Sequence, residues 1–331
     1  MCDRRVFGLK TFAEIEASPD SNIEWLVEGI VQANAPVLIH ADTKCCKTLL
    51  ALDLAIACAS GGDWLGCRAA KAPTAMISIE NGLPSLRQNI EFICNSRKID
   101  VPGGLFIGPE FEDIEDEHVL LQLSSFISSN FVKLCVFDPA YLLLGDYQHT
   151  HMADAGRKLF TLSEVCRKAG ATCVAIHHDK KSGRDLQAAA GAGFAQWPSS
   201  WVSIRRKGPY SKNGIHELEL TYGGRAGQQG KLPVRVDEGC KDGRTTKCDI
   251  KVIGGKVGDA TSSAARREPE GLKILEFLRS EGPASMSEIA KRVGGAKETV
   301  KGILSTLEES GTLKKTGCKF NVAQVPKKVT V

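Results

Sequence analysis

A lysine and a threonine, Lys47 and Thr48, stand between a short apolar run and a stretch with helical spacing. The run from Val37 to Ile39 is typical of a buried strand, and leucines and alanines recur at helical intervals from Leu49 onward. A loop that joins a strand to a helix points backbone N–H groups and the positive end of the helix at an anion. A lysine there binds phosphate oxygens, and a threonine hydroxyl binds Mg²⁺. The spacing therefore predicts a phosphate-binding loop.

Two positions of this loop depart from the usual pattern of glycine, four residues, glycine, lysine, and serine or threonine. Ala41 occupies the first glycine position and Cys46 the second. Glycine is favoured there because it adopts positive φ freely, but alanine and cysteine are small, so we expect a penalty of about 1 kcal/mol. The alternative is a chance Lys-Thr pair at a helix start. The predicted nucleotide-binding residues of the loop are Ala41, Asp42, Thr43, Lys44, Cys45, Cys46, Lys47, Thr48 and Leu49.

Polar side chains also follow three further apolar runs. Glu80 follows the run 74–79, Asp138 follows the run 132–137, and His177 and His178 follow the run 171–176. Because ligands of parallel sheets bind at the carboxyl ends of the strands, we expect these side chains to meet along one edge with Lys47. A carboxylate at the end of such a strand reaches the Mg²⁺ shell, so Asp138 is a predicted metal ligand beside Thr48. The alternative for Asp138 is a surface turn before Pro139.

The alternation of strands and helices predicts an α/β fold, with a mostly parallel sheet and helices on both faces. Residues 201–206 are strand-like, residues 216–222 alternate with a period of two, and residues 232–236 return, which predicts antiparallel strands that continue the sheet. We expect a lead-in at 1–21, the α/β domain at 22–239, a linker at 240–268 with one short strand at 250–253, a second domain at 269–325 and a tail at 326–331.

The second domain has the pattern of a small winged helix-turn-helix. Helices are predicted over 271–278, 285–293 and 296–310, followed by a basic hairpin over 311–322. From residue 269 onward, eleven basic and seven acidic residues carry the whole positive surplus of the chain. We expect this domain to bind DNA, although winged helices also serve as protein-docking modules. The predicted DNA-binding residues are Lys297, Lys301, Lys314, Lys315 and Lys319.

Composition excludes several other classes. The chain has 331 residues, 42% hydrophobic and 25% charged, as ordinary soluble globular proteins do. No apolar run approaches the roughly 20 residues of a membrane span, so we expect no membrane partner and a cytoplasmic location. The twelve cysteines include no Cys-x-x-Cys pair and several lie in apolar patterns, so we expect small buried hydrophobes in a reducing compartment rather than disulfides or a structural metal site.

Taken together, these motifs resemble one family. Lys-Thr-x-Leu-Ala-Leu-Asp-Leu-Ala after the loop, Ile79-Glu80-Asn81-Gly82, Val136-Phe137-Asp138-Pro139 and Ile176-His177-His178-x-Lys180 are similar to the RecA-like ATPases of the plasmid RepA type. Those proteins are hexameric replicative helicases and their bacterial and phage relatives. The resemblance covers residues 22–238, and it implies a RecA-like sheet, ATP and Mg²⁺ as cofactors, DNA as a partner, and a homo-oligomer of the hexameric type.

The resemblance also implies a role for each matching position. Lys47 and Thr48 would hold phosphates and Mg²⁺, and Asp138 would lie in the metal shell. Glu80 would be the general base that orients the attacking water. His177 and His178 would sense the γ-phosphate and relay its state to DNA-binding loops.

One catalytic residue is expected from a neighbouring subunit. Arg225, on a predicted hairpin, is the candidate arginine finger, with Arg205 and Arg206 as rivals and a solvated turn arginine as the alternative. The leading prediction is therefore an ATP-hydrolysing, DNA-associated motor. Two other functions stay open from the sequence: a DNA-binding regulator that binds nucleotide without hydrolysing it, as the altered loop suggests, and a RecA-like recombination factor.

Overall fold

Apolar runs of the sequence form the strands of one central sheet in the unit Met1–Ala260. The computed structural model describes residues 9–18, 22–111, 114–144, 152–179, 192–210, 213–241 and 244–253 of this unit. Five strands carry the predicted runs: β3 (Val37–Ala41), β6 (Thr74–Ser78), β7 (Leu105–Gly108), β8 (Leu134–Asp138) and β9 (Thr172–His178). Four more complete the sheet: β10 (Ser200–Arg206), β11 (Ile215–Gly224), β12 (Gln229–Asp237) and β15 (Asp249–Val252).

The strand order of this sheet is β15-β12-β11-β10-β3-β9-β8-β6-β7. From β10 to β7 all neighbours are parallel, whereas β10, β11, β12 and β15 pair antiparallel. The loop strand β3 lies between β10 and β9, near the middle of the parallel part. The carboxyl ends of these parallel strands therefore share one edge, as the sequence predicts.

Three short strand pairs among the described residues form two-stranded sheets of their own. These are β1 (Trp25–Val27) with β2 (Val31–Gln32), β4 (Asp63–Trp64) with β5 (Cys67–Arg68), and β13 (Cys240–Lys241) with β14 (Arg244–Thr245). The described helices are α1 (Phe12–Glu16), α2 (Lys47–Ser60), α3 (Leu83–Arg97), α4 (Glu117–Ser129), α5 (Met152–Lys168) and α6 (Ala192–Gln196), with a 3-10 helix at Ala140–Leu144. None of the helices in the described part of the chain is both long and apolar enough to cross a bilayer.

Helices cover both faces of the sheet because strand residues alternate between two apolar cores. Ile39, Val136 and Ile176 point to the face covered by α2 and α3. Their neighbours Leu38 and Phe137 point to the face covered by α4, α5 and α6. Helix α2 is buried along most of its length, which fixes the loop that precedes it against the sheet.

Two details differ from the sequence prediction. Strand β9 continues through His177 and His178, because His177 is buried in the core and continues the inward and outward alternation. The short strand expected inside the linker is present as β15, and it pairs with β12 at the edge of the central sheet. Cys248, just before it, is 1% exposed, so the chain remains part of this sheet beyond residue 239. The domain boundaries themselves stay a prediction, and Lys180 of the fourth motif lies outside the described residues.

The unit Thr261–Val331 has a core of its own. The structure describes residues 274, 277–278, 280–293, 300–301, 304, 308, 313–316 and 319–322 of it. Helix α7 (Met286–Val293) follows strand β16 (Ala284–Ser285), and the hairpin β17 (Leu313–Thr316) and β18 (Lys319–Val322) adds β16 as a third strand. Ile274, Leu278, Ile289, Val300, Leu304 and Phe320 fill the core between helical residues and hairpin. This arrangement confirms the C-terminal helix-turn-helix fold with its hairpin.

Candidate functional site

The two altered loop positions behave differently in the structure. Ala41 is the last residue of β3 and pairs with both His178 and Ile204, so ordinary strand geometry suffices and glycine is not required. Cys46 precedes α2 with φ of 55°, in the left-handed region that glycine favours. That conformation costs a residue with a side chain about 1–2 kcal/mol. Burial raises the pKa of the Cys46 thiol to about 12, so the thiol stays protonated at neutral pH.

Lys47 reaches back across the loop. Its Nζ donates to the carbonyl oxygens of Ala41 at 2.9 Å and Asp42 at 2.7 Å. The side chain is 5% exposed, and burial lowers the pKa of Lys47, against the attraction of nearby carboxylates such as Asp179 and Asp138. A buried ammonium bound to carbonyl oxygens alone is only partly compensated, so an anion beside it would be stabilised strongly.

Thr48 and Asp138 are in direct contact. Thr48 Oγ1 donates to Asp138 Oδ2 at 2.6 Å, and Ser78 Oγ donates to the same oxygen at 3.3 Å. Asp138 is 2% exposed, and burial raises the pKa of its carboxyl although these hydroxyl groups oppose the rise. A buried carboxylate beside a hydroxyl, without a cation in hydrogen-bond contact among the described residues, fits the oxygen ligands that Mg²⁺ takes.

Glu80 lies two residues beyond β6, at the same edge, and its carboxylate is held from two sides. Tyr141 of the 3-10 helix donates its hydroxyl to Glu80 Oε1 at 3.1 Å. His178 Nε2 lies 3.6 Å from Glu80 Oε2. The Glu80 side chain is 40% exposed, so water reaches it. Burial and this hydrogen bond raise the pKa of Tyr141, which keeps the phenol protonated as a donor.

The two histidines at the end of β9 point in opposite directions. His178 faces Glu80, whereas His177 stacks on Phe194 of α6 with 3.8 Å between ring centroids. Burial lowers the pKa of His177 to about 3, so its ring is neutral at neutral pH. The structure therefore brings His178, but not His177, to the predicted site.

A cleft of about 450 Å³ joins these groups. Its lining includes Lys44, Cys45, Cys46, Lys47, Thr48 and Leu49 from the loop and first turn of α2, and Glu80 and His178 from the neighbouring strand ends. Of the nine predicted loop residues, Ala41 is buried in β3, and Asp42 and Thr43 are exposed outside the cleft lining. The cleft therefore brings together groups that could hold an anion and a divalent metal at the sheet edge.

The opposite wall of the cleft was not predicted. Tyr210, His216 and Glu238 come from the antiparallel part of the sheet. Arg206, the last residue of β10, donates through Nη2 to the carbonyl of Lys44 and contacts His216 Nδ1 through Nη1 at 2.9 Å. The Tyr210 ring lies under both cations, 5.1 Å from Lys44 Nζ and 5.2 Å from the Arg206 guanidinium. The available signal was the position of Arg206, at the end of a strand parallel to β3.

Arg225 lies elsewhere. It sits in the turn between β11 and β12, and its Nη2 donates to the carbonyl of Gln196 at 2.8 Å. It lines a second cavity of about 700 Å³ beneath the amino ends of β3, β9 and β10, beside Trp197 and Arg167. The structure does not bring Arg225 to the cleft of its own chain. The rival Arg205 is exposed on β10.

Four of the predicted DNA-binding lysines are exposed on the second unit. Lys301 is in helical conformation, Lys314 and Lys315 lie on β17, and Lys319 lies on β18. Lys315 Nζ is 5.4 Å from the centre of the Phe320 ring. Lys297 lies outside the described residues. The hairpin thus presents a basic outer surface over an apolar core.

The fold and the loop define a RecA-like α/β P-loop domain followed by a helix-turn-helix domain. The chain belongs to the AAA domain family, which matches residues 3–184. The IclR helix-turn-helix domain matches residues 271–317. Among solved structures, the chain is similar to a KaiC-like protein of the hyperthermophilic archaeon Pyrococcus horikoshii OT3, with 15% identity, a TM-score of 0.49, and coverage of 69% of this chain and 94% of that one. No curated protein matches it in sequence.

Proposed function

We propose that this protein is an ATP-hydrolysing, DNA-associated motor of the RepA-type hexameric helicase kind. The observation that carries the proposal is the cleft in which the Thr48–Asp138 pair and the Glu80 carboxylate lie beside Lys47. An ammonium, a pair of metal-binding oxygens and a positioned base are the groups that phosphoryl transfer to water needs. Membership of the AAA domain family supports the same class.

Thr48 and Asp138 would hold Mg²⁺. When bound, the ion neutralises charge on the β- and γ-phosphate oxygens of ATP. Thr48 would exchange its donation to Asp138 for a metal bond through Oγ1. Lys47 would exchange the two carbonyl oxygens that it now contacts for phosphate oxygens, which are stronger acceptors.

Glu80 would accept a proton from the attacking water. A general base must be oriented as well as near. The Tyr141 hydroxyl binds one carboxylate oxygen of Glu80, and the His178 ring lies 3.6 Å from the other. His178 lies 3.6 Å from Glu80, so His178 rather than His177 would report on the γ-phosphate.

DNA binding and assembly complete the proposal. The exposed lysines of the hairpin would bind the phosphate backbone, as the match to a helix-turn-helix domain supports. Arg225 would serve a neighbouring subunit, because it lies far from the loop of its own chain along the strand direction. A guanidinium supplied in this way contributes about 10³–10⁵-fold in rate. We propose a homo-oligomer, a hexamer by the resemblance, as the active form.

A second candidate is a regulator that binds nucleotide without turnover. Two features of the loop favour it: Cys46 holds a left-handed conformation with a side chain attached, and Lys47 is engaged with loop carbonyls. Both features oppose tight seating of a phosphate. Neither removes a group that the reaction requires, so we place hydrolysis first.

One experiment separates the two functions: ATP binding at equilibrium and ATP turnover are measured on the same preparations, with and without single-stranded DNA. The wild type should bind and hydrolyse ATP, and Lys47→Ala should lose turnover with an unchanged melting temperature. Lys71→Ala, an exposed lysine away from the cleft, is the matched control. Binding without turnover under both conditions would establish the regulator instead, and absence of both would exclude either function.

A further inference from the structure

Three side chains with metal-binding atoms meet beside the phosphate loop. The sulfur of Cys46, a ring nitrogen of His216 and a carboxylate oxygen of Glu238 all lie within 4.8 Å of one another. His216 Nε2 and Glu238 Oε2 are 3.5 Å apart. No sequence pattern indicated this group, because Cys46 lies 170 residues before His216 and the three residues belong to no short motif.

The scaffold of the group is rigid on one side. His216 lies on β11 and is 3% exposed, and Glu238 directly follows β12, which pairs with β11 in antiparallel register. Cys46 contributes from the other side, as the last loop residue before α2. Two ligands are thus held by a sheet, and the third belongs to the phosphate loop itself.

We propose that Cys46, His216 and Glu238 bind one divalent ion of the zinc class. Thiolate, imidazole and carboxylate are the ligands that Zn²⁺ takes, with bonds of about 2.0–2.3 Å. Ligand atoms in such a tetrahedral shell lie about 3.5 Å apart. The three atoms now lie within 4.8 Å of one another, so any pair that is still too far apart must move closer by about 1 Å at most. All three residues line the cleft, which leaves the fourth position open to water or to a ligand in the cleft. The proposal does not depend on ATP hydrolysis.

The contact between Arg206 and His216 and a metal bound to His216 exclude each other. The Arg206 guanidinium can only donate, so the contact with His216 Nδ1 places the ring proton on Nε2, toward Glu238. A metal at Nε2 requires that position free, and the ring proton then resides on Nδ1, where it opposes the Arg206 donor. The Cys46 thiol releases its proton to water in the same step. Metal binding therefore displaces Arg206 from His216.

The phosphate loop is held through a different residue in each state. In the metal-free state, Arg206 holds the loop through the Lys44 carbonyl. In the metal-bound state, the sulfur of Cys46 ties the loop to β11 and the end of β12. Since the backbone around Cys46 and Lys47 is the part that faces a phosphate in such loops, we expect metal and nucleotide to compete.

The test uses Co²⁺ as a spectroscopic probe for the full chain without nucleotide, followed by displacement with Zn²⁺. The wild type should bind one Co²⁺ at this site with tetrahedral absorption bands and a sulfur-to-cobalt charge-transfer band. Cys46→Ser should remove that charge-transfer band, and His216→Ala and Glu238→Gln should each weaken binding about 10-fold or more. Cys67→Ser, which alters a partly exposed thiol of β5 outside the group and the cleft, should bind as the wild type does.

Arg206→Met provides a result that a structural role alone would not give. Removing the competing donor and its charge should tighten Co²⁺ binding about 10-fold, while circular dichroism verifies that each variant is folded. Absence of a charge-transfer band in the wild type would overturn the proposal. So would a band that survives Cys46→Ser, or weaker binding in Arg206→Met.

Discussion

Thr48 Oγ1 and Asp138 Oδ2 are 2.6 Å apart and joined by a hydrogen bond that links the first turn of α2 to the end of β8. Ninety residues of chain separate the two partners. The parallel order of β3, β9 and β8 brings them together, because it places the carboxyl ends of these strands at one edge. This contact defines where a magnesium ion fits in the proposed site.

The first prediction concerns that contact. Thr48→Val removes the hydroxyl while keeping the side-chain shape, so the Mg²⁺ concentration for half-maximal turnover should rise about 10-fold or more, whereas Thr48→Ser should retain function. The measurement is ATP turnover against Mg²⁺ concentration. Equal Mg²⁺ dependence in Thr48→Val and the wild type would show that Thr48 is not a ligand.

The second prediction concerns Glu80. Glu80→Gln keeps the side-chain volume but cannot accept a proton, so kcat should fall about 10²–10⁴-fold while ATP binding persists. Tyr141→Phe removes only the orienting hydrogen bond and should lower kcat by a smaller factor with KM unchanged. Single-turnover kinetics on both variants test this. A Glu80→Gln variant with full kcat would exclude Glu80 as the base.

The third prediction is a pH dependence of stability that arises from His177. Burial lowers the pKa of His177 to about 3 in the folded chain, below the ordinary value of 6.5. Between those values the unfolded chain binds the extra proton, so the free energy of unfolding should fall as pH decreases from about 6.5 towards 3, by up to about 4 kcal/mol.

The His177 dependence is measured by urea unfolding across that range. His177→Gln should flatten it, whereas His118→Gln, on the exposed surface of α4, should leave it unchanged. Identical pH profiles in His177→Gln and the wild type would mean that other groups determine the acid sensitivity.

The fourth prediction tests whether the active site is shared between chains. If Arg225 acts on a neighbour, turnover per subunit should rise with protein concentration, and Arg225→Ala should lose turnover but bind ATP. Mixing Arg225→Ala with Lys47→Ala should restore part of the activity, because some interfaces then pair an intact loop with an intact arginine. Arg235→Ala, which removes an exposed arginine of β12 that is no finger candidate, serves as the control. No recovery on mixing would place the finger elsewhere.

The fifth prediction concerns the basic hairpin. Replacing Lys314, Lys315 and Lys319 by alanine removes three exposed positive charges, so DNA affinity should fall and the slope of log affinity against log salt should decrease by about 2–3. Fluorescence anisotropy at several salt concentrations measures both. A triple alanine variant at Lys71, Lys98 and Lys231, on the first unit, should keep the slope. An unchanged slope in the hairpin variant would favour protein docking.

Much of the fold follows from the sequence because its signals are local. Apolar runs mark β3, β6, β8 and β9, and the polar residues at their ends lie at one edge once the strands are parallel. The sequence alone therefore predicted that Glu80 and Asp138 lie close together. The residue roles in that site remain predictions.

The remainder depends on tertiary contacts that no local pattern encodes. Arg206, His216 and Glu238 reach the loop because β10 pairs with β3 and then with β11, and strand order is not written in any one stretch. His177 was predicted at the site because the sequence does not show which of two adjacent histidines points towards it. A buried strand sends neighbouring residues to opposite faces, so one of the two had to enter the core.

The most direct test of the proposed site is a crystal structure of the chain with Mg²⁺ and a non-hydrolysable ATP analogue. The proposal predicts Thr48 Oγ1 bound to Mg²⁺, Asp138 in its shell, Lys47 on the phosphates and Glu80 facing the γ-phosphate. Nucleotide bound in the cavity beside Arg225, or phosphates away from Lys47, would contradict it.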